Sequence, residues 1–225
     1  MGERVTFRSS TGPKLAGIIE VPEKLARGWG VFSHGFTLGK DCPAASRICK
    51  QLAGEGIGML RFDNLGLGDS EGDWGDGSFS HKVQDTVRAV EFMNGSGREV
   101  KLLVGHSFGG ALTLLSGEGN AAIRAEVTFG AGANSWRPSL ELRQRLLTAV
   151  GKTSAPIMLI HAANDYDTTP GTVLAAKLER LNKPHILKIY PPVGNSADDG
   201  HNFLYQDIPQ WEPDVINFLD EHVKH

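Results

Sequence analysis

The stretch Val100-Lys101-Leu102-Leu103-Val104-Gly105-His106-Ser107-Phe108-Gly109-Gly110-Ala111 decides how this chain reads. Its first half is a dense apolar run of strand length. Its second half is a string of small residues leading into Leu112, Leu114 and Leu115, a pattern that predicts a buried helix. Between the two lies Gly105-His106-Ser107-Phe108-Gly109, a G-x-S-x-G match set in the strand–turn–helix context that a nucleophile elbow requires. The glycines leave room for strand and helix to approach closely while the serine takes a strained backbone conformation. The serine then stands at a helix N-terminus, where amide groups and the helix dipole favour negative charge. Ser107 is the candidate nucleophile.

Outward from this turn, apolar runs alternate with helical stretches. Arg4–Arg8 and Leu15–Val21 read as two opening strands joined by a Ser-Ser-Thr-Gly-Pro turn, which suits a hairpin. Strands are predicted at Trp29–His34, Ile57–Asp63, Glu126–Phe129, Pro156–Ala162 and His185–Tyr190. Helices are predicted at Pro43–Glu55, Phe79–Asn94, Leu140–Val150, Gly171–Leu181 and Pro213–Val223. Parallel strands need crossover connections, so the alternation implies a mostly parallel sheet with helices on both faces. The opening pair is expected to form an antiparallel edge. In such a sheet ligands gather at the carboxyl ends of the strands, where Ser107 falls.

A serine nucleophile needs a base, and the base needs a carboxylate to orient it. Chain order after an elbow is serine, acid, base, which leaves His185, His201, His222 and His225 as candidate bases among the eight histidines. His185 opens a strand, and the last two lie in the tail helix. His201 alone is predicted in a loop after the final strand, within Asp198-Asp199-Gly200-His201-Asn202-Phe203. For the acid, the strand ending at Ala162 runs into Asn164-Asp165-Tyr166-Asp167, which makes Asp165 the first choice and Asp167 the second. Either aspartate could instead make an Asx turn before the next helix. One amide donor for an oxyanion is expected after the first central strand, in His34-Gly35-Phe36-Thr37. The donors are read as the backbone N–H groups of Phe36 and Phe108.

Composition bounds the remainder. The chain has 225 residues, 40% of them hydrophobic and 22% charged, enough for a core in a single domain spanning residues 1–225. A net charge of −3, without long charge runs, argues against nucleic-acid binding or a charge-driven membrane contact. No stretch approaches a membrane-spanning run. Cys42 and Cys49 sit at a helix and its entrance, roughly 10 Å apart along the axis, too far for a disulfide. Free thiols suit a cytoplasmic location. Gly66-Leu67-Gly68-Asp69-Ser70-Glu71-Gly72 misses the dinucleotide fingerprint by one residue and reads as a structural loop. No His/Cys cluster has zinc spacing, so neither a metal nor a cofactor is expected.

Together these residues resemble the α/β-hydrolase superfamily over nearly the whole chain. Ser33-His34-Gly35-Phe36 through Arg61-Phe62-Asp63-Asn64-Leu65-Gly66-Leu67-Gly68-Asp69-Ser70 is similar to the serine esterase branch, especially to hydrolase domains fused to OsmC-type modules. Ile160 to Tyr205 looks more like dienelactone-hydrolase-type proteins, with Asp165 and His201 at the acid and base positions. Those enzymes use a cysteine nucleophile where this chain has Ser107, which favours ordinary ester hydrolysis over lactone specificity. The resemblance implies an α/β-hydrolase fold, and the short stretch between Phe129 and Pro156 leaves minimal room for a lid. It further implies an open cleft acting on small, short-chain acyl esters, in a monomer or homodimer. Leu38, Trp136, Tyr166 and Phe203, beside Phe36 and Phe108, are candidates to line the substrate pocket. A thioesterase, a lactonase, a small-peptide hydrolase or a non-catalytic binding protein of the same fold are the alternatives.

Overall fold

A computed structural model describes residues 2–223. Eight strands are present among them: β1 (Gly2–Arg8), β2 (Lys14–Glu20), β3 (Gly28–Ser33), β4 (Ile57–Phe62), β5 (Val100–His106), β6 (Ala125–Phe129), β7 (Ile157–Ala162) and β8 (His185–Tyr190). They form one sheet in the order β1-β2-β4-β3-β5-β6-β7-β8. β1 and β2 pair antiparallel, as does β2 with β4. Every later pair is parallel, as the alternating pattern requires.

The crossovers are α1 (Pro43–Gly54), α2 (Phe79–Gly95), α3 (Phe108–Ser116), α4 (Leu140–Lys152) and α5 (Thr169–Arg180). The chain closes with α6 (Ala197–His201), α7 (Phe203–Gln206) and α8 (Ile208–His222). Neighbouring strand residues point to opposite faces of the sheet, so Phe32, Leu102 and Ile160 pack with Ile48 of α1 and with Trp211 and Phe218 of α8. Val31 and Leu103 pack toward Ala89 and Met93 of α2, while Leu159 meets Leu112 of α3, Leu146 of α4 and Leu174 of α5. Both faces of the central strands are therefore covered, which explains why they read as continuous apolar runs rather than alternating ones. Local signals agree with the packing. Ser78 and His81 form a reciprocal cap at the start of α2, and Ser139 caps α4.

Two elements depart from the sequence reading. α8 begins at Ile208, five residues before Pro213. Proline removes one helical hydrogen bond at a cost of about 3 kcal/mol. Here the extension is held by Trp211, fully buried, with its indole N–H donating to the Leu204 carbonyl at 2.9 Å. His201 does not lie in a loop. It ends α6, a single helical turn closed at its start by Ser196 and Asp199, which cap one another. Between β6 and β7 only the loop from Gly130 and α4 intervene, with no inserted lid. Among the described residues no helix is long and apolar enough to cross a membrane.

Glu126, inside β6, is fully buried and accepts one hydrogen bond, from the Thr153 hydroxyl at 2.8 Å. Burial pushes its carboxyl from the ordinary 4.5 up to about 8. The folded protein thus holds a proton that the unfolded chain has released, and this contribution to stability declines as pH rises from about 4.5 to 8. Each pKa unit corresponds to about 1.4 kcal/mol. Glu126→Gln, which stays neutral, is expected to match the wild type near pH 4.5 and to exceed it by a few kcal/mol at pH 8. Urea midpoints at both pH values check this, and a pH-independent difference would contradict it.

Candidate active site

The turn after β5 is built as its glycines require. Ser107 takes φ 56° and ψ −117°, a conformation closed to most L-residues. Its N–H donates to the Phe129 carbonyl at 2.8 Å, tying the turn to the end of β6. Ser107 precedes α3 without capping it, so its hydroxyl is left for other partners.

That hydroxyl meets the His201 ring: Ser107 Oγ and His201 Nε2 are 2.8 Å apart. On the other side of the ring, Nδ1–H donates to Asp165 Oδ1 at 2.7 Å. The structure thus brings Ser107, His201 and Asp165 into one hydrogen-bonded line. Asp165 is buried, and its Oδ1 also accepts the Tyr166 N–H at 2.8 Å. Oδ2 accepts from Nδ1 of a second histidine, His161, at 2.8 Å. Burial alone would push the carboxyl up, but the bonds from His161 and His201 outweigh it and hold Asp165 down at about 2. Asp167 does not join the line. Its two oxygens accept from the Thr169 N–H and from Arg137 Nε, both at 2.9 Å, so it starts α5 and anchors the loop before α4. His185 and His222 lie away from Ser107, on β8 and at the end of α8, and His225 lies outside the described residues.

The loop after β3 carries Phe36. His34 Nδ1–H donates to the Gly35 carbonyl at 2.7 Å, and its Nε2 accepts from the Asn64 side chain at 3.0 Å. Farther along, the buried Lys40 ammonium bonds Asp63 at 2.8 Å and Asp69 at 2.6 Å. These contacts pin the loop to the end of β4. The Phe36 and Phe108 rings meet edge to face at 5.6 Å. Phe108 is the first residue of α3, so its N–H has no partner within the helix.

A cavity of about 480 Å³ opens beside Ser107, lined by Phe36, Phe79, Phe108, Leu142, Glu141 and Arg145. A larger groove, about 970 Å³, lies at the opposite edge of the sheet around Glu20, Arg27 and Lys50. It contains no nucleophile paired with a base, so the smaller cavity is the relevant one.

Part of the expected lining is corrected. Phe203 is buried to 1% and packs against Phe129 and Tyr190, because α7 turns it into the core. Trp136 is buried to 4% among Ala131, Leu146 and Leu174. Leu38 is exposed and covers Gly35 rather than the cavity. Tyr166 borders the His201 ring at 5.0 Å, with its phenol donating to Asp198 at 2.7 Å, so it stands beside the base as expected.

A family model for the alpha/beta hydrolase family matches residues 31–214. The chain belongs to that family. Among solved structures, the alpha/beta hydrolase GrgF from Penicillium sp. sh18 superposes with a TM-score of 0.79 at 16% identity, covering 99% of each chain. The Pyrococcus furiosus esterase Pf2001 gives 0.77 at 16%, covering 99% of this chain and 92% of that one. Dienelactone hydrolase from Anabaena variabilis gives 0.74 at 18%, covering 99% and 98%. At these identities the likeness is one of fold. A search of curated proteins gives no match.

Within this alpha/beta hydrolase, three further residues support the site. His161, near the end of β7, bonds Asp165 Oδ2, and its spacing of four from Asp165 is the sequence signal for it. His106 donates from Nε2 to the His201 carbonyl at 3.0 Å, and its ring lies 4.9 Å from the His201 ring. Burial and the adjacent His201 push His106 down to about 3, so it stays neutral. Gly130, at φ 61°, follows β6 and faces the site. A Cβ there would stand 2.9 Å from His201 Cε1 and 3.1 Å from Asp165 Oδ2. Gly130→Ala is therefore expected to cost about 1–2 kcal/mol for the left-handed backbone and to push the imidazole off Ser107. A urea midpoint and a crystal structure of the variant check this. An unchanged Ser107–His201 distance would contradict it.

Proposed function

We propose that this protein is a serine carboxylic ester hydrolase acting on small, short-chain acyl esters. One observation carries the reading: an unbroken hydrogen-bonded line, Ser107 Oγ to His201 to Asp165, begins at a strained serine beside an open cavity. His201 Nε2 takes the hydroxyl proton as Ser107 Oγ attacks the ester carbonyl. Asp165, ionised, keeps the proton on Nδ1 and stabilises the imidazolium. The carbonyl oxygen, now negative, is met by the Phe36 and Phe108 N–H groups, each worth roughly 3 kcal/mol of barrier. As the tetrahedral intermediate collapses, the bond from carbonyl carbon to alcohol oxygen breaks. The alcohol leaves with the proton from His201. Water, deprotonated by the same nitrogen, then attacks the acyl-serine and releases the acid.

Family membership supports hydrolysis, and the names of the Pyrococcus and Anabaena proteins are consistent with ester or lactone substrates. The cavity lining supports short acyl groups. Its aromatic wall is limited to Phe36, Phe79 and Phe108, and Glu141 and Arg145 also line it, charges that a long alkyl chain would have to desolvate.

Hydrolysis of p-nitrophenyl acetate, butyrate and octanoate by wild type and Ser107→Ala tests the reading. Acetate and butyrate are expected to exceed octanoate in kcat/KM, and Ser107→Ala is expected to abolish all three. Asp165→Asn is expected to lose activity on the order of 10⁴-fold in kcat, whereas Asp167→Asn is expected to retain most of it. Equal rates in wild type and Ser107→Ala would overturn the proposal.

A further inference from the structure

We propose that His161 is a positioning residue that holds the Asp165 carboxylate, through Oδ2, in the orientation from which Oδ1 engages His201. The inference rests on the serine-hydrolase reading above and extends the working line by one residue.

Asp165 stands between two imidazoles. Both donate from Nδ1, His201 to Oδ1 at 2.7 Å and His161 to Oδ2 at 2.8 Å. The side chains of Asp165 and His161 are 1% and 2% exposed, so neither oxygen has ready access to bulk water. A carboxylate turns easily about its terminal torsion, and a single bond to Oδ1 leaves that rotation open. The Tyr166 N–H adds a second donor on Oδ1. On Oδ2, among the described residues, His161 is the only donor. Without it a buried carboxylate oxygen would be left unpaired, and the group would rotate in search of a partner.

His161 can serve as a fixed point because its own ring is confined. It lies in β7, paired in register with Ile189 of β8. Its ring packs against Gly171 in the first turn of α5, where a Cβ would come within 2.7 Å of Cδ2. Sheet and helix backbone thus hold the imidazole, the imidazole holds the carboxylate, and the carboxylate holds the base. His161 touches neither Ser107 nor the cavity, so its effect reaches the reaction only through Asp165.

The test combines two variants with a spectroscopic reading that needs no turnover. His161→Asn keeps an N–H donor near the position of Nδ1, whereas His161→Leu removes it. In wild type labelled with ¹⁵N-histidine, two far-downfield imidazole protons bonded to a carboxylate are expected, on Nδ1 of His201 and Nδ1 of His161, apart from the carbonyl-bonded protons of His34 and His106. The His201 signal is expected to persist in His161→Asn and to broaden or move upfield in His161→Leu. With p-nitrophenyl acetate, His161→Leu is expected to lower kcat by about 10- to 100-fold with KM little changed, and His161→Asn to recover most of it.

A wild-type spectrum placing the His161 proton on Nε2 would overturn the inference, and so would equal kcat and an unmoved His201 signal in both variants. If His161→Leu does not fold, the wild-type tautomer and the Asn variant decide. Failure of the underlying reading looks different: turnover would be indifferent to Ser107→Ala while the His201 and His161 signals still reported on Asp165.

Discussion

The close seating of α3 against the ends of β3 and β5 is the constraint on which the site depends. A Cβ on Gly109 would stand 1.9 Å from the Ser33 carbonyl oxygen, and one on Gly105 would stand 2.2 Å from that of Gly109. Only bare backbone fits on both sides of the turn. The chain therefore reverses within one residue, and that residue is Ser107. Its left-handed φ represents strain of order 1–3 kcal/mol, offset by the hydrogen bond to Phe129 and by the buried face of α3. A looser turn would relax the serine and withdraw its hydroxyl from the cavity.

The other components converge because parallel strands deliver their loops to one edge. Phe36 follows β3, Gly130 follows β6, Asp165 follows β7, and His201 follows β8. Each loop is then held by a buried polar contact: Lys40 with Asp63, Ser107 N–H with Phe129, His161 with Asp165, and His106 with the His201 carbonyl. The electrostatics divide the four active-edge histidines by environment. His34 and His106 are buried and pushed toward the neutral form. His201 and His161 share an ionised aspartate, and of these two only His201 reaches the serine.

Much of this was legible in the sequence, for physical reasons. Apolar runs of strand length alternating with helical stretches leave few architectures besides a parallel sheet covered on both faces. An elbow motif then fixes where on that sheet to look. Asp165 and His201 follow from chain order because few other polar residues occupy the right loops. The sequence ranks Asp165 ahead of Asp167 without deciding between them, since two residues of spacing at a strand end do not reveal which carboxylate turns inward. The cavity lining was least legible. Phe203, two residues past the base, looked like a pocket residue until α7 rotated it into the core, whereas Phe79 and Arg145 reach the cavity from helices whose rotation no local pattern reports. The start of α8 was hidden by Pro213, where burial of Trp211 outweighs a local helix-breaking preference.

The proposed mechanism requires Ser107 to be the activated nucleophile. Incubation of the purified protein with a fluorophosphonate, followed by intact mass and peptide mapping, measures that directly. It predicts one adduct per chain, located on Ser107 and absent after His201→Ala. Failure to label, or labelling at another residue, would contradict it.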